Sequence, residues 1–272
     1  MLFRSPANIG CLRAARINGC ALANNHVLDW GIEGLRETLR SLRKAGLKTA
    51  GAGETHAEAF APAVFDLPGK VRILLFSFGT RDSGIPPDWA ASGDTPGVVY
   101  LPRLGATEME IVEKQVRRWK HASDTVVVSI HWGENWGQGV SAEERHFAHA
   151  LIDRAGVDVI HGHSSHHPRG LEIYEGKLIL YGCGDFLSDY EGIEGHGEFR
   201  PELGCMYFVT MRLSDRTLSK LELVPTRVRR MRIERASKLD AKWIRETLAR
   251  ESEPLGTRIE FKEGARLSTR AA

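Results

Sequence analysis

The stretch TVVVSIHWGENWGQGVSAEERHFAHALIDRAGVDVIHGHSSHH, Thr125 to His167, decides the fold. It opens on the β-branched run Thr125 to Ile130, the most strand-like segment of the chain, which ends at His131. Ser141 to Ala155 then reads as a helix, with Phe147 and Leu151 on its buried side. Ser141 and Glu144 have the spacing of a capping box at its start. Val157 to Ile160 is a second strand, ending in His161-Gly162-His163. A strand, a helix and a strand in succession, each strand ending in imidazole, is the pattern of an α/β layer with chemistry at one sheet edge.

The rest of the chain extends this pattern. Ala7 to Ile17 has helical spacing, and Cys20 to Ala23 is a short strand ending at Asn24-Asn25-His26. Gly31 to Ala45 predicts an amphipathic helix, with Ile32, Leu35, Leu39 and Leu42 on one face and Arg36, Arg40 and Arg43 on the other. Leu47 to Ala50 reads as a strand before a turn at Gly51 to Gly53, and Val71 to Phe78 as a buried strand. Gly79 to Leu104, with several prolines, is an irregular excursion, and Thr107 to His121 is helical. Leu171 to Tyr174 and Lys177 to Tyr181 flank Glu175-Gly176, a hairpin signal. A polar loop, Gly184 to Gly204, precedes a second hairpin, Cys205 to Leu213 with Leu218 to Val224. Leu239 to Ala249 predicts a last helix. Helices and strands that alternate and then give way to hairpins predict an α/β fold with mixed sheets.

Composition bounds the function. In 272 residues, 42% hydrophobic and 26% charged, the chain has the balance of a globular protein. Lys and Arg total 37 against 35 for Asp and Glu, a net charge of +2, so no concentrated basic excess calls for nucleic acid. No run is long enough to span a bilayer. The N-terminus, with Arg4, Arg13 and Arg16, lacks the continuous apolar segment of a secretory signal, which predicts a cytoplasmic chain. Cys11, Cys20, Cys183 and Cys205 form no C-x-x-C pair and read as buried thiols.

Histidine is the unusual count. Of 11, four lie between His161 and His167. Asn25, His131 and the His161–His167 cluster follow three separate strands, and imidazole nitrogens with an amide oxygen suit Zn, Mn, Fe or Ni. Each piece has an ordinary reading too. His131 fits a hydrogen-bonded rim histidine, and Asn24-Asn25 fits a turn. A run of histidines flanked by glycine has little packing use, so the three strand ends together favour a metal. His146 and His149 read as a solvated helix face. Arg227, Arg229, Arg230, Arg232 and Arg235 read by alternation as the outer face of a strand, with anion contact as the other reading. Gly51-Ala52-Gly53 falls short of a dinucleotide fingerprint, and no nucleophile elbow surrounds Ser164 and Ser165.

Four motifs carry a family resemblance: ANNHVLDWG (Ala23 to Gly31), SIHWGENW (Ser129 to Trp136), AGVDVIHGHSSH (Ala155 to His166) and LILYGCGDF (Leu178 to Phe186). In order and spacing the chain resembles the CapA-type bacterial capsule (poly-γ-glutamate) synthesis proteins, a branch of the calcineurin-like metallophosphatases, from about Ser5 to Val224. The resemblance implies a four-layer αββα sandwich of two mixed sheets. It implies a metallophosphatase-like domain over residues 1–225 and a C-terminal strand and helix extension over 226–272. By the same resemblance His26 is the general acid, and Asn25, His131, His163 and His166 are metal ligands. His161 and His167 have no firm counterpart, and Asp185 stands where many relatives carry Asn. Family members begin with a strand ending in Gly-Asp and carry a later Asn-x-Glu. Upstream of Ser5 nothing supplies them here, so the expectation is a domain lacking its first strands and a two-metal site that is incomplete. Two explanations stay open, a coding start further upstream and a true truncation, the first favoured by the intact remaining motifs.

The expected function is a metal-dependent hydrolase of phosphoesterase type, using divalent Mn, Fe, Zn or Ni on a phosphoester or anionic polymer. The alternative is a non-catalytic accessory protein in anionic polymer synthesis or export, with Arg227–Arg235 and the Gly184–Gly204 loop as contact surfaces. Amide-bond chemistry on glutamyl polymers is a third possibility.

Overall fold

The computed structural model describes residues 6–69, 71–188, 191–262 and 266–271, and side chains through residue 259. The chain divides into two compact units, one holding Phe3–Gly133 with His146–Val157, the other Glu134–Arg145 with Asp158–Ala272. The α/β class with mixed sheets is what the chain adopts.

The first unit starts with a 3-10 turn, Pro6–Ile9, and the short helix α1 (Gly10–Ala14). The helix read to Ile17 stops early because Arg16 turns left-handed at φ 55°, and Ile17 N–H donates back to the Leu12 carbonyl at 3.0 Å. Strand β1 (Gly19–Ala21), helix α2 (Gly31–Lys44) and strand β2 (Lys48–Ala50) follow, with β1 and β2 parallel. Leu35, Leu39 and Leu42 are buried along α2, but Ile32 is 41% exposed. The apolar stripe therefore begins one turn later than the spacing predicts. After Gly51 come β3 (Ala52–Gly53), α3 (His56–Phe60) and β4 (Ala63–Leu67), none of which had been read from the sequence. Thr55 caps α3, its hydroxyl accepting from Glu58 N–H at 3.2 Å.

β5 (Val71–Thr80) is the spine of this unit. Short β6 (Gly97–Val98) pairs with β3, and β7 (Tyr100–Leu101) lies parallel to β5. α4 (Ala106–Trp119) leads to β8 (Thr125–His131). β5 pairs β4 antiparallel and β8 parallel, with Gly79 opposite His131. Val126, Val128 and Ile130 are fully buried, as a covered parallel strand requires. At the far end of the sheet Arg72 forks onto the buried Asp124 carboxylate at 3.0 and 2.8 Å.

α5 (Ala142–Asp153) belongs to both units and starts with the capping box read from sequence. Glu144 N–H donates to Ser141 Oγ at 3.1 Å, and Ser141 N–H to Glu144 Oε2 at 2.8 Å. In the second unit β9 (Val159–His163) starts two residues later than predicted and continues through His163. β10 (Leu171–Tyr174) and β11 (Lys177–Leu180) form the expected hairpin, and β11 lies parallel to β9. Glu175 and Gly176 both take left-handed backbone, φ 48° and 71°, the turn that matches strand twist.

β12 (Leu203–Met211) pairs antiparallel with the long β13 (Leu218–Arg229), whose other partners are β14 (Arg232–Arg235) and β16 (Arg266–Ala271). α6 (Lys238–Ser252) precedes β15 (Thr257–Lys262), which pairs with β16. Arg227 to Arg235 is thus a hairpin around Arg230-Met231 and not one strand face. Two ion pairs on buried carboxylates hold the unit together: the buried Arg169 forks onto Glu144 at 2.7 and 3.0 Å, and the partly exposed Arg145 reaches Glu172 at 2.7 Å. Tyr181 Oη donates to Glu172 Oε2 at 2.8 Å. Cys183 and Cys205 are buried thiols as expected, but Cys11 is exposed. Among the described residues no helix is long and apolar enough to cross a membrane.

Candidate functional site

In the first unit the site grows from the end of β1. Leu22 and Ala23 are buried, and Ala23 N–H donates to Ser77 Oγ at 3.3 Å. A Cβ on Gly79 would come within 3.0 Å of the Ala23 carbonyl and collide with Ile85 Cδ1 at 2.1 Å. Glycine there lets the following loop lie against β5. The loop then turns: Asn24 Oδ1 accepts from His26 N–H at 2.9 Å, an Asx turn. This aims Asn25 inward, and its Oδ1 lies 3.1 Å from His131 Nε2.

His131 ends a strand buried on both faces and is itself 6% exposed. Its carbonyl oxygen lies 3.0 and 2.9 Å from the hydroxyls of Thr80 and Ser83. The Asp82 carboxylate accepts from Gly133 N–H at 3.2 Å and from the Thr80 hydroxyl. The backbone on either side of the imidazole is therefore tied to the loop after β5.

His26 is placed differently. Its side chain is 53% exposed, and Nδ1 lies 3.0 Å from Asp29 Oδ2. An ionised carboxylate only accepts, so Nδ1 carries the proton and Nε2 faces outward. Asp29 was not singled out in the sequence, although it lies within the quoted ANNHVLDWG motif. Trp30 beside it is 70% exposed.

The second unit carries His163 at the end of β9 and His166 just beyond. The intervening Ser164 is held at φ 134°, a strained conformation for a residue with a Cβ. Asn135 braces the turn: its carbonyl accepts from His166 N–H at 3.2 Å, and its Oδ1 lies 3.3 Å from Ser164 Oγ. His166 Nδ1 lies 3.0 Å from Asp185 Oδ2. This gives Asp185, left undecided in the sequence, a definite partner. The carboxylate fixes the orientation of the ring through Nδ1.

An aromatic shelf adjoins these residues. Trp136 stacks on His196 with ring centroids 3.8 Å apart, and lies 5.4 Å from His166 and 6.1 Å from His167. His167 is fully buried and stacks on Phe199 at 4.5 Å. Its Nε2 has no hydrogen-bond partner among the described residues, and burial pulls its pKa down to about 4. Burial also lowers His161 to about 4. Neither of these carries a charge near neutrality. Trp136 and His196 had not been separated from the scattered core aromatics, although Trp136 ends the SIHWGENW motif.

The donor atoms fit a divalent cation in part. Two ligands about 2.1 Å from one ion, at tetrahedral to octahedral angles, stand roughly 3.0–3.4 Å apart. The 3.1 Å between Asn25 Oδ1 and His131 Nε2 matches that spacing. His166, oriented through Nδ1 by a carboxylate, has the usual arrangement of a metal-ligating histidine. Asn25 and His131 come together in the first unit, while His163 and His166 belong to the second. Among the described residues no three or more His, Cys, Asp or Glu side chains are grouped to hold a metal.

Comparison with known proteins places these motifs. The family described as "Bacterial capsule synthesis protein PGA_cap" matches residues 1–190. The chain belongs to this capsule synthesis family. It is 44% identical over 255 residues to a probable polyglutamine synthesis accessory protein of Mycobacterium tuberculosis, covering 93% of this chain and 67% of that protein. It is 35% identical over 167 residues to the PGA biosynthesis protein CapA of Bacillus subtilis, covering 61% of this chain and 41% of that protein. The capsule biosynthesis protein CapA of Bacillus anthracis is 29% identical over 172 residues, covering 62% and 39%. The chain thus spans about two thirds of the mycobacterial relative and less than half of either CapA protein.

Proposed function

We propose that this CapA-family chain is a divalent-metal-dependent hydrolase of phosphoesterase type, working in the synthesis of an anionic capsule polymer. The observation that carries the reading is the pairing of Asn25 with His131 beside a solvent-facing His26 held by Asp29. Asn25 and His131 in the first unit, and His163 and His166 in the second, are the side chains that would hold metal. When bound, such an ion polarises a phosphoryl oxygen and lowers the pKa of a water molecule.

The rest of the work falls to the protein. Asp29 fixes the His26 ring so that Nε2 is the atom that delivers a proton to the departing oxygen. The exposure of that ring lets solvent restore the proton after each turnover. Asp185 keeps Nδ1 of His166 engaged, which holds the ring in one orientation and sets the tautomer that ligation through Nε2 requires. The ties from Thr80 and Ser83 to the His131 carbonyl hold that ring against displacement when substrate charge arrives.

The second reading is an accessory protein without turnover, favoured by the name of the mycobacterial relative. Hydrolysis of p-nitrophenyl phosphate and of bis(p-nitrophenyl) phosphate, with Mn²⁺, Zn²⁺, Fe²⁺ or Ni²⁺ supplied, separates the two. Hydrolysis that is lost in His26→Ala while metal affinity stays unchanged supports the enzyme. A protein that binds metal, shows no turnover on either ester and retains its cellular role as His26→Ala is an accessory component.

A further inference from the structure

The β13–β14 hairpin ends in a feature that the metal-site reading does not use. Arg229 and Arg232 stand directly opposite each other in the last pair of the ladder. Like charges in that position repel, and nothing in the fold requires them there. Arg230 and Met231 make the turn, both left-handed, with φ 50° and 57°. Arg229, Arg230 and Arg232 are exposed, and their side chains have no hydrogen-bond or ion-pair partner among the described residues. By contrast, Arg227 lower on the same hairpin reaches Asp240 at 3.3 Å.

Between these cations Met231 is 57% exposed at the apex. The turn is fastened from behind, Met231 N–H donating to Glu191 Oε1 at 2.6 Å. Of the acidic residues by the hairpin, Glu191 is engaged by the Met231 N–H and Glu234 lies further down the ladder, opposite Arg227. The hairpin therefore presents an apolar side chain on a fixed turn, ringed by three arginines.

We propose that this hairpin tip docks on an anionic lipid bilayer, Met231 entering the headgroup layer and Arg229, Arg230 and Arg232 meeting lipid phosphates. The methionine decides between bilayer and soluble polyanion. A polyanionic chain needs the charges alone, whereas an interfacial anchor needs an apolar group between them. Guanidinium forks match phosphate oxygens, and each basic residue near an anionic surface strengthens binding about fivefold. The inference is independent of the metal site and stands or falls separately from it.

The test is flotation of the purified chain with vesicles of phosphatidylcholine containing 30% phosphatidylglycerol, against phosphatidylcholine alone. Binding is expected only to the anionic vesicles, weakening as salt is raised. The triple variant R229S/R230S/R232S should lower partitioning by roughly a hundredfold, about fivefold per arginine. Met231→Asp, which keeps all three arginines, should lower it at least tenfold. Circular dichroism and Mn²⁺ affinity of both variants should match the parent, which separates docking from folding and from the metal site. Absence of binding to anionic vesicles at low salt, or partitioning unchanged in the triple variant, overturns the proposal. Binding to soluble poly-L-glutamate as tight as to vesicles, and indifferent to Met231→Asp, also overturns it and makes the tip a polymer contact.

Discussion

At the scale of single residues, the contact between His26 and Asp29 has a direct consequence. His26 with Asp29 is an exposed pair, and in the proposed reaction Asp29 orients His26 as the proton donor. Asp29→Asn should keep the metal and lower kcat by about 10- to 100-fold, with His26→Ala falling further, by about 10²–10⁴. Metal affinity by calorimetry and phosphodiester turnover measured together check this, and a loss of metal in Asp29→Asn would count against the assignment.

His167 makes a different prediction. Its folded pKa of about 4 lies below the ordinary 6.5 because burial disfavours the charged ring. The unfolded chain therefore binds the extra proton first as pH falls. The contribution to stability is fully present above pH 6.5 and is lost as pH drops towards 4. For one such ring it amounts to roughly 3 kcal/mol at most. Urea unfolding at pH 7 and pH 5 should show the loss, and His167→Gln should flatten the dependence, leaving the part due to His161. An equal pH slope in the variant would place the titrating group elsewhere.

At the scale of elements, the capping box and the buried fork on Glu144 act on one carboxylate. Burial alone would raise the Glu144 pKa. The hydrogen bonds and charge of Arg169, with those from Ser141, outweigh it and hold Glu144 below its usual value. Ser141→Ala should cost about 1 kcal/mol, a lost cap. Arg169→Ala should cost about 3–5 kcal/mol, because it leaves a buried carboxylate unpaired. Denaturation of the two variants checks the ordering, and the reverse order would mean that the fork is dispensable.

The elements also show what could be read in advance. β8, α5 and the β10–β11 hairpin were legible because burial period, cap and turn residues agreed along the chain. α3 and β4 were not. Each is five residues long, too short for a periodic signal, and each is set by its neighbours. The Arg230-Met231 turn was missed because neither residue is a usual left-handed turn former. Ile32 was placed in the core by spacing alone, although the first turn of α2 lies outside it. For the site, the strand-end histidines and Asn25 were visible as motifs. Their carboxylate partners were not, because whether Asp29 faces His26, or Asp185 faces His166 from beyond a hairpin, depends on the folded backbone.

At the scale of the whole molecule, the family assignment rests on the match over residues 1–190 together with the four motifs. Neutral ligands dominate the proposed metal set, so affinity should rise steeply with pH through the histidine range, as the imidazoles must shed protons to bind. The metal proposal comes down to Asn25 and His131, 3.1 Å apart in the first unit, as ligands of one divalent cation. Mn²⁺ titration of the intact chain, followed by electron paramagnetic resonance at pH 7.5, tests it most directly. Saturable Mn²⁺ binding is expected, weakened at least tenfold in Asn25→Ala and in His131→Ala and unaltered in His26→Ala. Mn²⁺ affinity equal to the parent in those two variants would contradict it.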